Sequence, residues 1–99
     1  MSPQLQRLPR RRDDVRLHDR ELRSYLVAPD RGVAHELNPT ARAVWELCDG
    51  TTTVDELVVA ICQIFSVERE DATADVVAIV GQLEAVGLVG WADAPREAS

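Results

Sequence analysis

The apolar pattern of this chain changes period once, at Asn38-Pro39, and that switch limits the folds open to it. Before it, apolar residues fall in short runs or at alternate positions: Val15-Arg16-Leu17, Tyr25-Leu26-Val27 and Val33-Ala34-His35-Glu36-Leu37. Side chains of a strand alternate between two faces, so these segments predict three short strands. Pro29-Asp30-Arg31-Gly32 links the second to the third, with proline presetting the backbone angle of a turn and glycine tolerating its exit. Asp19-Arg20-Glu21 supplies a short polar link between the first and second. The three strands therefore read as an antiparallel meander.

After the switch the grammar is helical. Asn38 is a favoured N-cap, and Pro39 suits a first helical position, where its missing N–H would be unpaired anyway. Ala41, Val44, Trp45 and Cys48 follow at helical spacing, and Gly50 can take the left-handed conformation that ends the helix. Thr53-Val54-Asp55-Glu56 has the form of a capping box and opens a second helix, whose buried stripe is Val54, Leu57, Val58, Ile61 and Phe65. A third helix is predicted from about residue 69 to 86, with Val76, Ile79, Val80 and Leu83 on one face and Gly87 as its stop. Leu88, Val89 and Trp91 lie beyond that stop and should fold back over the core or the sheet. The predicted class is α+β, winged-helix-like: a three-stranded antiparallel meander followed by a three-helix bundle. Residues 13–91 form the domain. Residues 1–12, rich in Arg, Gln and Pro without apolar periodicity, read as a flexible Arg-rich arm, and residues 92–99 as a flexible tail.

A chain of 99 residues leaves little margin for a large internal cavity, so binding at the surface is the default. No Ser-His-Asp order, phosphate-cradling glycine loop or metal constellation can be assembled, which argues against an enzyme and against a cofactor. Cys48 and Cys62 lack zinc-type spacing and read as buried reduced thiols of a cytoplasmic protein. Arg10-Arg11-Arg12 is followed by Asp13-Asp14 rather than by an apolar stretch, so neither an export signal nor a membrane span is expected. Trp45 and Trp91 read as core and flank packing.

Charge separates the remaining readings. Residues 1–43 carry nine Arg against six acids, and residues 44–99 two Arg against eleven acids, or +3 and −9 in a net −6. Two helices joined by a tight turn could present a recognition helix to DNA. The third helix and its approach, however, hold Glu68, Glu70, Asp71, Asp75 and Glu84 against Arg69 alone, the reverse of what phosphate contact requires. A nucleic-acid partner is therefore not expected.

The series from His35-Glu36-Leu37-Asn38-Pro39-Thr40-Ala41 through Val44-Trp45-Glu46-Leu47-Cys48-Asp49-Gly50 and Thr53-Val54-Asp55-Glu56-Leu57, closing with Asp75-Val76, Leu83 and Gly87-Leu88-Val89, resembles the PqqD-like family over roughly residues 13–90. Its members are peptide chaperones, also described as recognition elements for ribosomally made precursor peptides. The resemblance implies that the leader segment of such a precursor lies as an added strand against the third strand, in the groove that strand makes with the third helix. Carried to this chain, the peptide-binding residues would be Val33, Ala34, His35, Glu36 and Leu37 on the strand and Asp75, Val76, Ile79, Val80 and Leu83 on the helix. The implied partners are a precursor leader peptide and a separate modifying enzyme, such as a radical SAM protein or a leader peptidase. The residues allow this independently, because the last strand of a meander leaves unpaired backbone donors and acceptors that an extended peptide can satisfy. Val76, Ile79, Val80 and Leu83 equally fit a purely structural role as core. His35 shares the strand parity of Leu37 and points inward, where packing or a hydrogen bond is the simpler role.

Overall fold

Hydrogen-bonded caps and a sheet register account for most of the architecture. The computed structural model describes residues 3–30, 32 and 34–92. After a 3-10 turn at Pro3–Gln6, the elements run β1 (Pro9–Arg11), β2 (Arg16–Arg20), β3 (Arg23–Val27), β4 (Ala34–Leu37), α1 (Pro39–Leu47), α2 (Val54–Phe65), α3 (Arg69–Ala85) and β5 (Val89–Trp91). The result is α+β, with the expected meander in the order β2-β3-β4 followed by three helices.

Asn38 Oδ1 accepts from the Ala41 N–H at 2.8 Å, directly after β4. The edge strand thus passes into α1 with no slack. At α2, Thr53 Oγ1 accepts from the Glu56 N–H at 3.0 Å and Glu56 Oε1 accepts from the Thr53 N–H at 2.8 Å, completing the capping box. α3 ends as its glycine predicts: Gly87 has φ 79°, its N–H donates to Glu84 O at 3.0 Å and the Leu88 N–H reaches Leu83 O at 2.9 Å. That pair of bonds is a Schellman closure.

Antiparallel pairing sets Leu17 against Leu26, Leu26 against His35, and Ser24 against Leu37. These side chains share one face, which packs on the helices around Val44, Trp45, Leu57, Val58, Ile61, Val76 and Val80. The opposite face carries Arg16, His18 and Arg20 of β2, Arg23, Tyr25 and Val27 of β3, and Ala34 and Glu36 of β4.

Three expectations need adjustment. The link between the first two strands is shorter than Asp19-Arg20-Glu21, because Asp19 and Arg20 continue β2 and pair with Ser24 and Arg23. Asp19 is held there by Ser24 Oγ at 2.7 Å and by Arg42 of α1 at 3.0 Å, and Glu21 takes φ 58° to close the turn. Second, the segment read as a flexible arm is built into the domain from Leu5 onward, where that side chain packs against the core. β1 pairs antiparallel with β5, Pro9 opposite Trp91. Its other side bonds to the loop after α1, with the Arg11 N–H donating to Cys48 O at 2.9 Å and the Gly50 N–H to Pro9 O at 3.0 Å. Its arginines are engaged: Arg7 lies 4.0 Å over the Trp91 ring, Arg11 donates to Glu46 O at 2.9 Å, and Arg12 pairs with Asp14 at 2.6 Å and Asp30 at 3.2 Å. Third, Ala92, the first residue of the expected tail, donates its N–H to Leu8 O at 2.8 Å; residues 93–99 lie outside the described ones.

Candidate peptide-binding edge

β4 is a terminal strand of the meander, and among the described residues no strand pairs with its outer side. Residues of an antiparallel strand alternate in which neighbour their N–H and C=O groups address, so half of the backbone polar groups of β4 point away from β3. The strand is fixed at its C-terminal end. Leu37 is buried in the core, and the Asn38 cap follows at once. Ala34 and Glu36 are exposed on the outer face, while His35 is half-buried on the inner one. Glu36 meets Arg23 of β3 at 3.6 Å across the outer face. Val33 lies outside the described residues.

The helical half of the expected site divides. Val76, Val80 and Leu83 are at most 2% exposed and pack with α1 and α2 residues, so in this structure they are core rather than groove lining. Asp75 is exposed and Ile79 half-buried. Sequence reasoning passed over Gln82, which is exposed, and Val86, which is half-buried. Asp75, Ile79, Gln82 and Val86 recur at i, i+4, i+7 and i+11, a stripe one step round the helix from the buried one. That spacing was available in the sequence. On the other flank of α3, Glu84 Oε2 accepts from Trp91 Nε1 at 2.9 Å, so β5 occupies that side. The accessible stripe is therefore mixed, with an acid, two apolar side chains and an amide.

Chemically this is a surface of hydrogen-bonding backbone and modest apolar area. Cys48 is buried, and desolvation pushes its thiol up to about 12, which makes it unreactive as a nucleophile. Among the described residues no group of three or more His, Cys, Asp and Glu is placed to hold a metal ion.

Comparison with known proteins bears on what such an edge is for. The family model described as coenzyme PQQ synthesis protein D (PqqD) matches residues 23–89, more than half of the chain. Among solved structures, TbiB1 in complex with the TbiA(beta) leader peptide superposes with a TM-score of 0.69 at 22% identity, covering 81% of this chain and 93% of that one. The PqqD truncation of Methylobacterium extorquens PqqCD, described as a functional and stand-alone recognition element for ribosomally synthesised and post-translationally modified peptides, gives a TM-score of 0.68 at 27% identity, covering 83% of this chain and 87% of that one. No curated protein matches this sequence.

Proposed function

This chain belongs to the PqqD family, and from that premise we propose that it binds the leader segment of a ribosomally synthesised precursor peptide and presents it to a modifying enzyme. The observation that carries the reading is the open outer side of β4, a strand paired to β3 on its inner side and anchored at its C-terminal end by buried Leu37 and the Asn38 cap. A leader adding there as a fourth strand would satisfy backbone groups that otherwise face water. Main-chain hydrogen bonds give affinity that is tolerant of sequence, and alternate side chains give specificity. We assign the strand contacts to Val33, Ala34, His35, Glu36 and Leu37.

On α3 the contacts begin with Asp75 and Ile79, which are accessible in the unliganded chain. Val76, Val80 and Leu83, proposed with them from the family resemblance, would meet the peptide only where its side chains displace Ile79 and reach the core beneath. The leader bound to TbiB1 gives the precedent for such an occupant.

The chain does no chemistry in this reading. It raises the effective concentration of the precursor core at an enzyme that must be supplied separately, whether a radical SAM protein, a leader peptidase or another tailoring enzyme. Among the described residues no helix is long and apolar enough to cross a membrane. The two free thiols suit a reducing cytoplasm, where we place the protein.

The test is a binding titration with the leader peptide of the precursor encoded nearest to this gene, using peptides N-methylated at one residue at a time. Strand addition predicts that methylation at alternate residues of the docked segment removes a donor and weakens binding by about tenfold or more, about 1.4 kcal/mol per hydrogen bond lost. Methylation at the intervening residues, whose N–H groups face solvent, should be tolerated. Uniform sensitivity along the peptide, or none, would rule out docking as a strand.

A further inference from the structure

The outer face of the meander, turned away from the helices, is chemically unlike the rest of the molecule. It gathers Arg16, His18, Arg20 and Arg23 around Tyr25 and Val27, in a chain whose net charge is −6. Glu36 is the acid within its strands, with Glu21 at the adjoining turn. Arg23 meets Glu36 at a loose 3.6 Å, and Arg16 and Arg20 form no ion pair among the described residues. The strand alternation puts Asp19 on the other side, where it is consumed by Ser24 and Arg42. Tyr25 and Val27 are half-buried and, with His18, Asp19, Arg20 and Ala34, line a shallow concavity that faces solvent; the Asp19 carboxylate itself is tied to Ser24 and Arg42.

We propose that this face is a docking surface for a carboxylate-rich protein surface, that of the enzyme which modifies the leader-bound precursor. Two arguments select this occupant. The first is charge: arginines set around an aromatic ring, two of them without an ion pair among the described residues, complement an acidic patch and steer its approach. A nucleic acid fits less well, because a duplex is longer than this face and its phosphate track would continue past the arginines towards the helical half, where residues 44–99 carry −9, whereas a compact acidic patch need not extend beyond them. The second is continuity with the leader site. A peptide added at the outer edge of β4 widens the same sheet, and its outward side chains extend the face that begins at Ala34 and Glu36. An enzyme seated on Tyr25 and its arginines would contact the recognition domain and the leader together. The surface stands on its own chemistry; only the identity of the partner rests on the leader-binding reading.

The probe is a capped oligoglutamate peptide, titrated at low salt into the isotopically labelled full chain while amide shifts are followed, first alone and then with the leader peptide at saturation. Shifts are expected at Arg16, His18, Arg20, Arg23 and Tyr25 in both titrations, and they should vanish as salt is raised. The double variant Arg16→Glu/Arg20→Glu alters two exposed side chains outside the leader site. It should lose oligoglutamate affinity by about tenfold or more, while leader affinity changes by less than about twofold. Shifts centred on Arg10, Arg11 and Arg12, or unchanged affinity in a double variant that folds by circular dichroism, would overturn the proposal. So would tighter binding of a short DNA duplex than of the peptide, since that assigns the face to phosphate. Loss of leader binding alone would strike the leader reading and leave this face standing.

Discussion

A thiol shut away from water keeps its proton, and Cys48 is such a thiol. Burial raises it from an ordinary 9.0 to about 12. In the unfolded chain it ionises near the ordinary value, so the unfolded state sheds a proton that the folded state retains. The stability this linkage supplies is complete below pH 9.0 and is lost as the pH rises towards about 12. Chemical denaturation across that window should show falling stability, and Cys48→Ala should flatten the slope while costing some packing. At the acid end the sign reverses. Thr51 and Thr52 donate to Asp49, and Arg12 pairs with Asp14, holding both carboxyls below their ordinary 3.8. Their contribution is present above that value and disappears as the pH falls through the lowered ones. The same contrast of burial governs the helix: Trp45 at 3% exposure is core, and Trp45→Ala should cost about 3–5 kcal/mol in a denaturant melt. Val80→Asp should unfold the domain, since it places a charge at a position 1% exposed. Ile79→Asp, at a half-buried site, should leave the fold intact and weaken leader binding.

At the scale of elements, the sequence was legible wherever the signal was local. Asn38, Thr53 with Glu56, and Gly87 each announce a helix terminus within a few residues, and each is found making the expected bonds. Thr53→Ala should therefore cost about 1 kcal/mol. α3 lacks a side-chain cap at Glu68, and Glu68→Asp should recover about half of that amount by offering its N-terminus a shorter acceptor. β1 was illegible for the opposite reason. Pro9, Arg10 and Arg11 have no apolar period, and their partners Val89, Gly90 and Trp91 stand at the far end of the chain. Only the folded molecule brings them together. Deleting residues 1–12 should then lower the thermal midpoint by several degrees, where loss of a solvated arm would leave it unmoved. The open edge of β4, where we propose the peptide docks, was readable as the last strand of a meander. Which α3 residues remain accessible was not, because the stripes at 76-80-83 and 75-79-82-86 satisfy the same helical period and only packing against α2 and β5 separates them.

For the molecule as a whole, the acidic helical half and the basic outer sheet face divide the surface by charge. α3 presents Glu70, Asp71 and Asp75 to solvent, so duplex DNA should show no tight, salt-sensitive binding in a mobility-shift assay. The edge of β4 lies between the two territories, anchored by core on one side and open on the other. Addition of a fourth strand there predicts a specific signature, because amides that gain a hydrogen-bond partner move in chemical shift and slow in exchange with solvent. The decisive measurement is a titration of the labelled full chain with leader peptide, following amide shifts and hydrogen exchange residue by residue. The largest shifts should fall on residues 33–37, with alternate amides of that strand newly protected and secondary shifts at Asp75 and Ile79. Shifts concentrated on α2 or on the β1–β5 ribbon, with β4 silent and its exchange unchanged, would contradict strand addition.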